Sequence, residues 1–378
     1  MNSLKHLFGP IIVNVKKRHK ILLVECVGHS SVVEYLVKVL NPMVEMSFLH
    51  TSEIFILETS ELKLLKSYSF SDEISLISIL TKLKKEGFTH AIIVSAGTKG
   101  YLLASALKQV AIPYSLVVHN LHFELNPRTV FTQTGVSYLR RLKWSWRLSI
   151  RNRLILASGA EGVILSCEHS AYLAAELAPK QKIYFSPWAI VPRPHIEERK
   201  VQVRRILLLG EISNQRRDFG EVTSVLELAK GTSLKFDVVG MPTGRSGQKI
   251  LKSLARHSNV TYHGRLDESN LNKLIEEVDA FWLPMTKEIS YLYFQEIAGV
   301  SKISGVIHDA IRFDKPILVN ANYEVSPEFR TIAKSYTTVA DFIALIQEPL
   351  NYAPPDFSNL SKQCSGWKDY LRSVGVKV

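Results

Sequence analysis

Apolar runs of strand length alternate with stretches of helical period along most of the chain. Residues 20–26 form such a run, a glycine turn at Gly28 follows, and residues 31–40 then place apolar side chains at helical spacing. This succession of strand, turn and helix is typical of βαβ units around a parallel sheet. It continues with an apolar stretch at 57–66, strands predicted at 90–95, 115–118 and 162–166, and helices at 72–86 and from the turn at 97–100 through 109.

The alternation restarts after residues 187–205, a segment rich in proline and charge that predicts a linker. Strands are predicted at 205–209, 234–239, 260–263, 280–283 and 316–319, and helices at 220–230, 247–257, 269–278 and 305–313. The pattern therefore predicts an α/β fold of two Rossmann-like domains in tandem, with parallel sheets flanked by helices. We expect the first domain at 1–190 and the second at 203–350, with a tail at 351–378 whose final helix packs back toward the first domain.

Composition agrees with a soluble globular chain of two domains. The 378 residues are 46% hydrophobic and 22% charged, and no apolar run approaches the length of about 20 residues that a spanning helix needs. The apolar run at 7–15 precedes a basic cluster at 16–20, the reverse of the order in a signal peptide, so a cytoplasmic protein is expected. Three widely spaced cysteines suggest neither a disulfide framework nor a zinc site.

The formal net charge of +12 favours a polyanionic partner, which is nucleic acid, an anionic membrane surface or a phosphorylated small molecule. No recognised nucleic-acid module is visible, so nucleic acid is the least favoured of the three. A segment that mixes cations with tryptophan suits the inner face of a membrane, to which the protein would bind peripherally, although a solvated helix face explains it as well. Its residues are Arg140, Arg141, Lys143, Trp144, Trp146 and Arg147.

Two places in the second domain have the chemistry of an anion site. Gly210 begins the loop after the first predicted strand, and Arg216 and Arg217 on that loop can hold phosphate oxygens. The other place is the start of the helix at 305–313, where Ser304, Gly305 and Val306 offer backbone N–H groups and the positive end of the helix dipole. Asp309 lies one turn further along, within reach of a ribose hydroxyl. A solvated basic loop and a plain serine cap are the structural alternatives.

A third candidate lies in the first domain. His119 and Asn120 follow the strand at 115–118, at the edge of the sheet where ligands bind in open α/β folds, and His122 and Glu124 follow them. A histidine in that position can hydrogen-bond a substrate hydroxyl or transfer a proton. A structural loop histidine is the alternative.

Taken together, these segments resemble GT-B glycosyltransferases, in particular the large retaining group called family four. The likeness is most specific in FDVVG, NVTYHGRLDESNLNKLIEEVDAFWLP and SGVIHDAIRFDKPILVN of the second half. PYSLVVHN and LASGAEGVILSCEHSAYLAAEL resemble that family's first domain more loosely, so that the likeness covers most of residues 20–345.

The resemblance implies a metal-independent, retaining glycosyltransferase without a cofactor, whose second domain holds a nucleotide-sugar donor and whose first domain presents the acceptor. Arg216 stands where the family has a lysine on the donor diphosphate, and Asp309 matches its ribose-binding glutamate. His119 matches a histidine on the donor sugar, and with Arg216 it forms the predicted catalytic pair. The donor set is Gly210, Arg216, Arg217, Gly240, Ser304, Gly305, Val306 and Asp309, and the acceptor side is Gly28, His29 and Asn120.

The sequence departs from the family at two positions. Glu211 replaces an arginine, so that Arg217 is expected to take over its charge, and Ser301 replaces the first of two helix-associated glutamates. Glu296 is a substitute only if the insertion at 286–300 folds back into the site. A catalytically silent homologue acting as a partner or scaffold therefore stays an alternative, as does a nucleotide-sugar epimerase. For a transferase, the expected acceptor is a saccharide or lipid-linked saccharide of cell-surface polysaccharide synthesis.

Overall fold

The computed structural model describes residues 19–51, 65–126, 131, 137–147, 150–190, 198–291 and 294–378. Its compact units are residues 1–115 with 364–378, and residues 116–363. Two main sheets organise these residues, one of seven strands and one of six.

The first sheet has the order β3-β2-β1-β4-β5-β6-β7. Its strands are β1 (Lys20–Glu25), β2 (Glu45–Thr51), β3 (Lys66–Phe70), β4 (Phe88–Ser95), β5 (Tyr114–Val117), β6 (Gly162–Leu165) and β7 (Lys182–Phe185). β1 pairs in parallel with β2 on one side and β4 on the other, so the strand order reverses direction between β1 and β4. Open α/β sheets bind ligands at the carboxyl end of such a switch point.

Seven helices accompany these strands in the described part of the chain. They are α1 (Ser30–Leu40), α2 (Glu73–Lys85), α3 (Gly100–Val110), α4 (Leu121–Leu125), α5 (Tyr138–Arg147), α6 (Ile150–Gly159) and α7 (Glu168–Leu177). Local sequence explains where α2 begins, because Asp72 accepts the N–H of Ser75 and closes a capping box at the start of that helix.

The second sheet repeats the first order as β11-β10-β9-β12-β15-β16. Its strands are β9 (Arg205–Leu209), β10 (Lys235–Val239), β11 (Val260–Gly264), β12 (Ala280–Leu283), β15 (Ile317–Asn320) and β16 (Ala333–Tyr336). Around it lie α8 (Phe219–Leu228), α9 (Gly244–Leu254), α10 (Glu268–Glu277), α11 (Gly305–Phe313) and α12 (Val339–Gln347). Here the order reverses between β9 and β12, which pair with each other in parallel.

Burial on both faces explains why β12 of the second sheet is apolar throughout. Ala280 and Trp282 belong to a core on one face of the sheet, while Phe281 and Leu283 belong to a separate core on the other. Both faces of β12 are therefore buried under helices, as in other doubly wound sheets.

Smaller elements complete the fold. β13 (Glu288–Tyr291) and β14 (Phe294–Ile297) form an antiparallel hairpin, and β8 (Arg199–Val201) pairs antiparallel with β17 (Leu350–Tyr352). The last helix, α13 (Leu360–Ser373), carries Trp367, whose indole N–H donates to the Tyr35 hydroxyl at 3.0 Å.

The predicted fold class is confirmed, with two parallel sheets flanked by helices. The prediction was incomplete in the first sheet, where β2, β3 and β7 were not expected, and in the second, where β16, α12 and the β13–β14 hairpin were not. Most of the apolar stretch predicted at 57–66 lies outside the described residues.

Candidate functional site

The floor of the switch point in the second sheet is made of closely packed backbone. Gly210 follows β9 with φ 121°, and Gly240 follows β10 with φ 149°, conformations that favour glycine. A Cβ on Gly240 would overlap the carbonyl oxygen of Gly210. The N–H of Gly210 donates to the carbonyl of Val239 at 2.8 Å, which fixes this approach. The close approach of the two loops at the carboxyl edge thus explains why glycine is found at both predicted positions, Gly210 and Gly240.

Arg217 lies beneath this loop. Its side chain is buried, and its guanidinium donates to the carbonyl oxygens of Leu209 and Glu211. A Cβ on Gly210 would meet the guanidinium, so the arginine fills the space that the glycine leaves. Burial and, to a smaller extent, the nearby charge of Arg216 lower the pKa of Arg217 to about 10. Sequence reasoning expected Arg217 to bind phosphate, whereas its contacts in the structure support the loop.

Arg216 has a different environment from its neighbour. Its side chain is one-third exposed, and Nε lies 3.8 Å from Oε2 of Glu211. Its carbonyl oxygen accepts the N–H of Thr286 at 3.1 Å, which joins the loop after β9 to the loop after β12. Arg216 is therefore placed at the carboxyl end of the switch point, with a side chain that is partly accessible to solvent.

The start of α11 presents backbone donors. Ser304 is the N-cap residue with φ −77° and ψ 132°, and its side chain makes no cap hydrogen bond. The first N–H groups of a helix have no partner within the helix, and here Gly305 and Val306 supply them. Together with the positive end of the helix dipole, these groups can bind an anion.

Two side chains in the first turns of α11 extend this site. Burial raises the pKa of Asp309 to about 6, although the charge of Arg312 opposes the shift. Burial lowers the pKa of the adjacent His308 to about 4, which keeps its ring neutral. The His308 ring packs against Trp188 with centroids 5.5 Å apart, and Trp188 in turn meets His119 edge-on at 4.6 Å. Trp188 thereby connects the predicted histidine after β5 to the predicted anion-binding helix.

Lys302 is a candidate site residue that sequence reasoning missed. It stands two residues before Ser304, and its ammonium group donates to Oδ1 of Asn120. Burial and, to a smaller extent, the positive charge of Arg216 lower the pKa of Lys302 to about 8, while Glu296 and Glu124 act against the shift. Such an electrostatic effect acts between neighbouring charges, so Arg216 and Lys302 share one region with the start of α11.

The β13–β14 hairpin holds the end of β5 in place. Glu296 is fully buried and accepts the N–H groups of His122 at 3.3 Å and Phe123 at 3.0 Å, which caps α4. Burial raises the pKa of Glu296, although the Ser301 hydroxyl and His122 act against the shift. The insertion at 286–300 therefore does fold back, but Glu296 is engaged in capping α4. The Ser301 hydroxyl accepts the N–H of Ile297 at 2.7 Å and closes the turn.

The first sheet has its own polar cluster at the switch point between β1 and β4. Glu25 ends β1, is buried, and accepts the N–H groups of Val27 at 2.6 Å and Gly28 at 2.8 Å. Gly28 has φ 116°, so glycine is favoured in this turn. His29, predicted on the acceptor side, places Nδ1 3.7 Å from Oε2 of Glu25. Glu25 was not among the predicted site residues.

Helix α5 exposes apolar side chains. Leu139 is 78% exposed and Trp146 is 85% exposed, and Tyr138 and Leu142 are exposed as well. The Arg141 guanidinium donates to the carbonyl of Phe131 at 2.6 Å, while the side chains of Trp144 and Arg147 lie outside the described part. Within the described residues, no helix is long and apolar enough to cross a bilayer. No three His, Cys, Asp or Glu side chains group as metal ligands in that same part of the chain.

No protein-family model matches the sequence, and no curated protein matches it. Solved structures do match over nearly the whole chain. The apo form of the lipopolysaccharide outer core galactosyltransferase WaaB has a TM-score of 0.54 and 9% identity, covering 94% of this chain and 99% of that one. A UDP-GlcNAc 2-epimerase from Neisseria meningitidis bound to UDP-GlcNAc has a TM-score of 0.56 and 14% identity, covering 94% and 99%. Anabaena HepE in complex with UDP has a TM-score of 0.56 and 11% identity, covering 93% and 95%.

These structures share the two tandem Rossmann-like sheets described above, so the chain has the GT-B fold. They include a galactosyltransferase and an epimerase, and the fold is therefore common to more than one kind of enzyme. The choice among activities has to come from the site.

Proposed function

We propose that this chain is a glycosyltransferase that moves a sugar from a nucleotide-sugar donor to a saccharide acceptor. The observation that carries the proposal is the concentration of positive charge at the carboxyl edge of the second sheet. Arg216, Lys302 and the uncapped start of α11 belong to one region there, next to the partly buried carboxyl of Asp309. This combination suits a nucleoside diphosphate, which brings negative charge and ribose hydroxyls together.

Each residue then has a role in the departure of the diphosphate. Negative charge grows on the leaving group as the bond to the sugar breaks, and preorganised cations and N–H groups stabilise it. Arg216, Lys302 and the N–H groups of Gly305 and Val306 supply that stabilisation in our proposal. Asp309 accepts a ribose hydroxyl, and His119, held against Trp188, hydrogen-bonds the donor sugar. The chain's own cations thus supply the charge, and we propose that no metal cofactor is required.

The nucleotide we propose first is uridine diphosphate. The similar structures include HepE in complex with UDP and an epimerase bound to UDP-GlcNAc. The acceptor we propose is a saccharide or lipid-linked saccharide used in building a cell-surface polysaccharide. The exposed Leu139 and Trp146 of α5 support a peripheral position on the anionic inner face of a membrane, where such an acceptor would be met.

Nucleotide stabilisation of the folded chain is the first test of this proposal. A thermal-shift screen compares UDP, GDP, CDP and dTDP, and a ligand at 100 times its dissociation constant adds about 2.7 kcal/mol to the free energy of unfolding. We expect one nucleoside diphosphate to stabilise the chain clearly more than the corresponding monophosphate. If no nucleoside diphosphate stabilises it, the proposal is wrong.

The type of activity is then decided by the products. The chain is incubated with the matching nucleotide sugars in the presence and absence of an acceptor panel, and products are followed by mass spectrometry and NMR. Acceptor-dependent release of the nucleoside diphosphate with a glycosylated product supports a transferase. Conversion of the nucleotide sugar to its epimer without acceptor would instead identify an epimerase, and binding without turnover a silent homologue.

A further inference from the structure

Asn320 ends β15 at the carboxyl edge of the second sheet and is buried. It is 2% exposed, and it follows the residues of β15 that pair in parallel with β12. Its side-chain amide accepts the N–H of Met285 at 3.2 Å and donates to the carbonyl oxygen of Met285 at 2.9 Å. The amide of Asn320 therefore pairs with the backbone of Met285 in both directions, as a residue of a neighbouring strand would.

The backbone on either side of Met285 is bonded to the loop that carries Arg216. Thr286 donates its N–H to the carbonyl oxygen of Arg216 at 3.1 Å, and the carbonyl oxygen of Pro284 accepts the N–H of Asp218 at 2.9 Å. Met285 pairs antiparallel with the residue between Arg216 and Asp218. The position of the Arg216 backbone therefore depends on where Met285 is held.

A buried network holds the Asn320 amide in this orientation. Its nitrogen also donates to Oε2 of Glu221 in α8 at 2.8 Å, and the Tyr336 hydroxyl at the end of β16 donates to Oε1 of the same carboxylate. Burial raises the pKa of Glu221, and the hydrogen bonds from Asn320 and Tyr336 act against the shift. An amide rotated by half a turn would direct its oxygen at this carboxylate, so the network fixes which end of the amide meets which group of Met285.

We propose that Asn320 is a positioning residue that sets the reach of Arg216 for the second phosphate of the nucleotide, and thereby the preference of the site for a diphosphate. This inference rests on the proposed function. Arg216 supplies the charge, and Asn320 acts on it only through the backbone of residues 284–286. A misplacement of about 1 Å is enough to weaken a preorganised contact strongly, so the support of a charged group matters as much as its charge.

The first experiment replaces Asn320 by aspartate in the full chain. N320D keeps the shape of the side chain, but its carboxylate cannot donate to the Met285 carbonyl and repels the carboxylate of Glu221. We expect the affinity for UDP to fall about tenfold, the loss of one charge-assisted contact, while the affinity for UMP changes by less than about threefold. Titration calorimetry at pH 7 measures both nucleotides.

A second variant covers the case in which N320D does not fold. N320S is uncharged, and its shorter side chain cannot meet both backbone groups of Met285. It should lower the preference for UDP over UMP in the same direction as N320D. N320S therefore tests the role of Asn320 without placing two carboxylates side by side.

Y352F is the matched control for stability. The buried Tyr352 hydroxyl donates to the carbonyl oxygen of Asp314 at 3.0 Å, before β15 begins and so at the opposite edge of the second sheet. Y352F thus also removes a buried hydrogen bond from a side chain to the backbone. It should lower the melting temperature, as N320S does, and yet keep the full preference for UDP over UMP. A Y352F variant that lost this preference would assign the change to stability and overturn the role of Asn320.

A double-mutant cycle separates positioning from an independent contribution. If Asn320 acts only through Arg216, the affinity of R216A/N320S for UDP should lie within about threefold of that of R216A. Independent contributions would multiply instead, so that the double variant would lose affinity by the product of the two single losses.

Three outcomes are distinguishable. A reduced preference for UDP in the Asn320 variants, with no further loss in R216A/N320S, supports the role of Asn320. An undiminished preference in these variants, or losses that multiply in the double variant, overturns it while leaving the nucleotide site in place. A wild-type chain that binds no nucleoside diphosphate overturns the proposed function itself, and this inference with it.

Discussion

The carboxyl edges of the two sheets share a strand order but differ in chemistry. In both, the first strand lies beside the strand where the order reverses, so a loop and a helix start meet at the same topological position. The second sheet carries Arg216 and Lys302 there, whereas the first carries Glu25 and His29. The comparison teaches that the repeated fold determines where a site lies, and that the loop residues determine which ligand and reaction it suits.

The largest effect on this comparison is expected from removing Arg216. If the second edge stabilises the leaving diphosphate, R216A should lower kcat by about 10²-fold to 10³-fold, the loss typical of one preorganised charge-stabilising group. R216K keeps a positive charge but lacks the planar fork, and it should recover part of the rate. Steady-state kinetics with the preferred nucleotide sugar measure both. Wild-type rates in R216A would show that Arg216 at the carboxyl edge of the second sheet takes no part in the reaction.

Arg217, next to Arg216 in the chain, tests the difference between an arginine that binds the diphosphate and one that supports the loop. Arg217 donates to the carbonyls of Leu209 and Glu211 from a buried position, so R217M leaves two partly buried acceptors without their donor. We expect a loss of about 1–3 kcal/mol in the free energy of unfolding, measured by urea denaturation. R216A should lose much less stability by the same measurement. Equal losses of unfolding free energy in the two variants would contradict the assignment of a structural role to Arg217 and a binding role to Arg216.

Lys302 should make nucleotide binding at the carboxyl edge of the second sheet depend on pH. Its pKa of about 8 means that the ammonium charge is lost as pH rises through this value, so the affinity for UDP should fall there. We expect about a tenfold loss, equivalent to one charge-assisted hydrogen bond. K302M should bind weakly at pH 7 and show no fall above it. Titration calorimetry between pH 7 and pH 9.5 measures both curves.

Stability should change in the opposite direction over the same window. The pKa of Lys302 in the folded chain lies below its ordinary value of 10.5, so between these values the unfolded chain holds more protons. This group's contribution to the free energy of unfolding therefore increases as pH rises from about 8 to 10.5. A loss of affinity for UDP that merely followed loss of folding would contradict the assignment to Lys302.

The sequence predicted both sheets but only part of each site. Strands such as β12 are buried on both faces and stand out as apolar runs, whereas β14 alternates and buries Glu296, which a pattern treats as a polar position. Adjacent arginines look alike in sequence, which does not show that the guanidinium of Arg217 occupies the space beside Gly210. Lys302 and Glu25 were missed because their partners Asn120 and Ser95 lie 182 and 70 residues away in the chain.

The smallest expected effect concerns α5. L139A/W146A removes two exposed apolar side chains, and a peripheral membrane protein should then bind less to vesicles containing anionic lipid. We expect a reduction of about threefold to tenfold in vesicle partitioning by sedimentation, corresponding to roughly 1 kcal/mol. Transfer to a water-soluble acceptor should be unchanged in this variant. Equal partitioning of both proteins would show that α5 is a solvated helix face.

The affinities of the wild type and R216A for UDP and UMP are the sharpest test of the proposed diphosphate site at the carboxyl edge of the second sheet. Both nucleotides are titrated into both proteins by calorimetry at pH 7, where Lys302 carries its charge. We predict that the wild type prefers UDP and that R216A loses most of this preference while its affinity for UMP changes by less than about threefold. A wild type that binds UDP and UMP equally, or an R216A variant with an undiminished preference for UDP, would contradict it.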